Sequence, residues 1–150
     1  RPVNILLSWD GTINPFSFHT HYAALSIMSH EERLAELRKP ELRAAILAEQ
    51  LPLMGDPFMD TIIGGYDKLY PLGTPPNYEP GPDASVAAIA RREGRSAEEV
   101  TYDLMLQRDG RELLYLPLLN YAGFDFEPIR AMLEHPHTVL SLSDGGAHCG

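Results

Sequence analysis

Apolar residues follow two rhythms along this chain. Residues 3–8 (VNILLS) form a short run rich in branched side chains, bounded by Pro2 and Asp10-Gly11, which predicts a buried strand ending in a turn. Asn14-Pro15 punctuates the loop that follows. From Ser29 the rhythm becomes helical. Ser29 and Glu32 make a capping box, so a helix is predicted from His30, with Leu34 and Leu37 on one face. Pro40 suits a first helical turn because its missing amide has no helical partner to lose. Leu42, Ile46 and Leu47 continue the apolar stripe until Pro52.

Residues 52–83 gather Gly64-Gly65, Pro75-Pro76 and Pro80-Gly81-Pro82, which predicts a long loop rather than core. A loop of that length inside a compact domain is functional or depends on a neighbouring part for its order. Tyr66, Tyr70 and Tyr78 favour docking over free disorder. Helical spacing resumes at Ser85 with Val86, Ile89 and Ala90, and Gly94 closes that helix. A second capping box, Ser96 with Glu99, opens another helix, lined by Val100, Leu104 and Met105 and ending near Asp109-Gly110. Residues 113–116 read as a strand. Phe126, Ile129, Met132 and Leu133 recur at helical spacing up to His135-Pro136, and residues 138–142 form a last apolar, branched strand. Strands separated by helices predict a helix-rich α/β architecture with a few parallel strands, those at 3–8 and 138–142 among them.

With 150 residues, 44% of them hydrophobic, the chain has enough apolar surface for one domain. Composition also narrows the partners. The net charge is -9, and the basic residues are scattered rather than gathered into a stripe, which argues against nucleic acid. No apolar run approaches the roughly 20 residues that span a bilayer, and no basic start leads into an apolar signal segment. The single Cys149 has no second cysteine to pair with, which fits a reducing compartment and equally a secreted protein without disulfides; a cytoplasmic protein is expected.

The candidate chemistry lies at the end of the last strand. Residues 138–142 deliver Ser143-Asp144-Gly145-Gly146-Ala147-His148 to a strand's carboxyl end, where parallel α/β folds place their ligands. The two glycines allow a sharp turn or a close backbone approach. Asp144 is the catalytic candidate, a carboxylate able to orient or deprotonate a metal-bound water, and His148 is placed to meet substrate. Asp-Gly is also a common turn pair, so Asp144 could equally cap a turn. His19-Thr20-His21 has the spacing of a zinc hook but follows a loop instead of lying on a strand, so it is not expected to hold a metal. His135-Pro136-His137 lies between a helix end and a strand start, where a structural role is expected. No phosphate-binding glycine loop and no G-x-S-x-G elbow is present.

At its C-terminal motif the chain resembles the amidohydrolase superfamily, and within it the N-acyl-D-amino-acid deacylase (D-aminoacylase) family, in which a strand ends in SDG followed by a histidine. The resemblance extends back through Asn14-Pro15-Phe16, Glu32-Arg33-Leu34, Pro40-Glu41-Leu42-Arg43, Tyr78-Glu79-Pro80, residues 85–90 (SVAAIA), Pro117 and Asn120-Tyr121, so it covers nearly the whole chain. It implies a metal-dependent (β/α)8 (TIM) barrel, of which residues 1–150 would be one incomplete segment, and hydrolysis of N-acyl-D-amino acids with Zn²⁺ as cofactor. By the same resemblance Asp144 matches the aspartate that assists the attacking water and touches the metal, and His148 matches the histidine near the substrate.

The family's His-x-His strand, its bridging anionic ligand and its middle metal-binding histidines have no match here. A zinc ion needs about four donors, so the isolated segment is expected to be inactive. Two other readings stand beside this one: a non-catalytic helical interaction or regulatory module, and an amidohydrolase that opens cyclic amides.

Overall fold

The structure, a computed structural model, describes residues 3–52 and 54–139. It begins with strand β1 (Asn4–Leu7). Leu7 and Trp9 carry the chain straight into the core, both fully buried. Phe16, Tyr22 and Tyr102 close around Trp9 at ring distances of 5.2, 5.2 and 4.9 Å. Asn14 holds the intervening turn: its side-chain amide donates to the Tyr22 hydroxyl at 2.9 Å and its side-chain carbonyl accepts from the Phe16 amide at 2.9 Å. A short helix, α1 (Thr20–Ala23), then leads to the helical layer.

Helices α2 (His30–Leu37) and α3 (Pro40–Ala48) start where local chemistry predicts. Ser29 and Glu32 form the reciprocal capping box, and Pro40 occupies the first turn of α3. Leu34, Leu37 and Ile46 face inward. The second pair is α5 (Val86–Glu93) and α6 (Ala97–Met105), numbered after α4 below. Gly94 ends α5 in the left-handed region, φ 66°, and Ser96 with Glu99 caps α6. Two links fasten α6 to the first pair. The Tyr102 hydroxyl donates to the Leu37 carbonyl at 2.8 Å, and the Arg43 guanidinium donates twice to Asp103, each at 3.1 Å.

The stretch expected as loop carries structure. Helix α4 (Pro57–Gly64) starts on Asp56, whose carboxylate accepts from the Phe58 and Met59 amides, and buries Ile62. Strand β2 (Tyr70–Pro71) follows, with Leu69, Tyr70 and Leu72 all buried. The prolines and glycines bound these elements rather than abolish them. Beyond α6, a turn labelled α7 (Gln107–Gly110) holds Arg108, Asp109 and Gly110 at positive φ and turns the chain into β3 (Leu114–Pro117).

The sheet order is β1-β3-β2, and both pairings are antiparallel, which corrects the expectation of parallel strands for every pair described. Apolar periodicity reports that a strand is buried but not which way its neighbour runs. Here the turn at 108–110 sets the direction of β3. Alternation then divides the side chains between two cores. Leu7, Leu114 and Leu116 join the large cluster under the helices, whereas Tyr115 and its cross-strand partner Tyr70 join a second cluster with Leu72 and Tyr121. The last helix, α8 (Glu127–Glu134), lies outside both, with no buried residue and with Met132 and Leu133 each 52% exposed. The predicted strand at 138–142, and with it the expected parallel pairing, lies largely outside the described residues. No helix among the described residues is long and apolar enough to cross a membrane.

Candidate functional site

Asp144 and His148 lie outside the described residues. Of the approach to them, residues 135–139 are described. His135 caps the C-terminus of α8, His137 stands 5.5 Å from it ring to ring, and both are exposed. Imidazoles at a helix C-terminus meet the negative end of its dipole.

One cleft among the described residues is built from four separate segments of the chain. It encloses about 640 Å³ and is lined by His19, Glu49, Tyr66, Ser96 and Glu98, with Leu47, Leu51 and Ile63 as its apolar floor. His19 enters because Phe16 is anchored in the aromatic core three residues earlier; its ring lies 5.3 Å from the Phe16 ring and the residue is 7% exposed. Its Nδ1 is buried and makes no hydrogen bond among the described residues. Burial favours the neutral imidazole and lowers its pKa; Glu49, the Phe16 carbonyl and Glu98 offset this in part.

His21 turns elsewhere. Its ring nitrogen Nδ1 contacts the Glu49 carboxylate, which also accepts from the backbone amides of Thr20 at 2.7 Å and His21 at 2.9 Å. Desolvation opposes ionisation of Glu49 and is the largest single influence, but these hydrogen bonds together outweigh it and hold the pKa at about 2. Glu49 is thereby a fixed anion. Glu98, on the first turn of α6, takes part in no hydrogen bond or ion pair among the described residues. Burial, with Glu98 nearby, raises the Tyr66 pKa, so its phenol stays protonated.

Among the described residues, no three of His, Cys, Asp or Glu stand close enough together to hold a metal ion. A zinc ion therefore finds no fitting donor set there, the His19 pair included. The cleft instead offers a neutral imidazole, two carboxylates and a phenol spread around an apolar floor, an arrangement rich in hydrogen-bond acceptors. Sequence reading noted His19, as half of a pair not expected to hold a metal, and Tyr66, as an aromatic that docks the 52–83 stretch, but not Glu49 or Glu98, because no local spacing connects the four. No family model, curated protein or solved structure matches the chain.

Proposed function

We propose that this chain is part of a metal-dependent amidohydrolase that hydrolyses linear amide bonds of N-acyl-D-amino acids. One observation carries the reading: the apolar run at 138–142 ending in Ser143-Asp144-Gly145-Gly146-Ala147-His148, preceded in order by the other segments similar to that family. The helix-rich α/β composition of the described residues is compatible with it. In this reading the run at 138–142 is a strand of a (β/α)8 barrel, although the antiparallel β1-β3-β2 sheet is not the parallel sheet from which such a barrel is built. Zinc is the cofactor the resemblance implies. The described residues do not fit it, so the chemistry assigned here is that of the chain's own groups: Asp144 accepts the proton of the attacking water and returns one to the leaving amine, and His148 positions the substrate.

A second reading, a non-catalytic module, draws support from the sheet, which is covered on both faces by the two hydrophobic clusters.

The test is hydrolysis of an N-acyl-D-amino acid by the parent enzyme that the first reading implies. Asp144→Asn should lower kcat by at least about 10²- to 10⁴-fold with folding and metal content nearly intact, because an amide of the same shape cannot take up the proton. His148→Ala should cost less and act partly on KM. Near-native kcat in Asp144→Asn would return the SDGGAH segment to a simple turn and favour the module.

A further inference from the structure

His30 opens α2, and its two ring nitrogens meet two different segments of the chain. Nε2 lies 2.9 Å from the Asp109 carbonyl oxygen, in the turn before β3. A carbonyl can only accept, so Nε2 carries the proton of that bond. Nδ1 lies 3.1 Å from Asp10 Oδ1, within ion-pair distance but off the line of a hydrogen bond, and is closed off from solvent. A neutral imidazole has one bare nitrogen. With Nε2 committed to the carbonyl, that nitrogen is Nδ1, and its lone pair faces a carboxylate oxygen where water cannot intervene. The doubly protonated ring removes this conflict and suits both neighbours.

The charges around the ring divide. Asp10 comes from the segment after β1, Glu31 from α2 itself and Asp109 from the turn, and all three favour a cation at His30. Arg38, at the end of α2, holds the Asp109 carboxylate at 2.9 Å, and Arg111 stands 3.9 Å from the other Asp10 oxygen. These two guanidiniums and the positive end of the α2 dipole oppose the charge. Asp10 weighs most because its carboxylate is the one in contact with the ring, and charge interactions weaken with distance. The contact also has leverage on the fold. Asp10 follows β1 by three residues, Asp109 holds a positive φ of 55°, and the turn feeds β3, the central strand of the sheet.

We propose that His30 is a pH-dependent clasp: as an imidazolium it ties Asp10, just beyond β1, to the turn that leads into β3, and as a neutral ring it keeps the turn and releases Asp10. The clasp adds stability on the acid side of the histidine range and is lost as pH rises through it. The inference does not rest on the hydrolase reading.

The test is a double-mutant cycle in the 150-residue chain, with Asp10→Asn, His30→Gln and the pair together, each unfolded in urea at about pH 5.5 and about pH 8. Both values lie above the ordinary carboxylate range, so within this pair the histidine is the group that changes. At the lower pH the two side chains should be favourably coupled, by about two- to fivefold in the unfolding equilibrium constant. At the higher pH the coupling should vanish or change sign. A coupling that is absent at the lower pH, or equal at both, overturns the clasp. The native chain supplies a second measurement that no variant can spoil: by NMR, the Asp10 carboxylate carbon should shift in step with the His30 ring between about pH 5 and 8. An Asp10 signal that ignores the His30 titration overturns the proposal as well.

Discussion

Glu49 joins two parts of the chain that sequence distance keeps apart. It follows the last residue of α3, yet its carboxylate accepts the first amides of α1 and meets the His21 ring. An acidic group near the N-terminus of a helix also meets the positive end of the local dipoles. The consequence for stability has a definite sign. The ordinary pKa is 4.5 and the folded value is about 2, so on acidification the unfolded chain takes up this proton first. The stabilisation is complete above the unfolded value and is lost as pH falls from there through the folded one. Urea unfolding at neutral pH and at about pH 3 should therefore show Glu49→Gln clearly weaker than the native chain at neutral pH, with the two midpoints converging in acid. A difference between them that stays constant with pH would mean that Glu49 contributes by packing and not by charge. His19 lay in the same three-residue motif as His21, yet its surroundings could not be read there: burial comes from Phe16, and the carboxylates come from the ends of other helices.

Elements were legible where their causes are local. Both capping boxes, the proline opening α3 and the glycine closing α5 fall at the predicted residues, because each is a contract between groups within about four positions of one another. Helix α4 shows where that reading stopped short: Asp56 and Pro57 are an ordinary cap and first-turn pair, hidden among surrounding breakers. The turn after α6 could not be anticipated, since Arg108 and Asp109 adopt positive φ, 51° and 55°, without being glycine. Gly110 completes it at φ 72°, and a Cβ there would stand 2.8 Å from Leu34 Cδ1 and 3.2 Å from the His30 ring. Backbone strain and crowding act together. Gly110→Ala should destabilise by about 2–4 kcal/mol, read as a lower denaturation midpoint with an unchanged slope. A loss below about 0.5 kcal/mol, the usual range for surface substitutions, would show that α2 retreats freely from the turn.

At the scale of the whole molecule, the packing converges on Trp9, which touches Phe16, Tyr22 and Tyr102 and is fully buried. It is the chain's single tryptophan, so its fluorescence reports on the one place where β1, the Asn14 turn and α6 meet. If the described residues fold as one cooperative unit, the fluorescence and far-ultraviolet circular dichroism transitions in urea should coincide. Separate transitions would divide the tryptophan core from the tyrosine cluster on the other face of the sheet. The sequence by itself determined that β1, α2, α3, α5, α6, β3 and α8 form, roughly where they start and stop, and which of their residues carry the apolar faces, because those properties arise from propensity, capping and periodicity within a few residues. Only the tertiary structure decided that the described strands pair antiparallel, that Leu69, Tyr70 and Leu72 belong to the cores, and that His19, Glu49, Tyr66 and Glu98 share one cleft. Each of these depends on contacts between residues far apart in the chain, and no local pattern encodes which distant surface a buried face will meet.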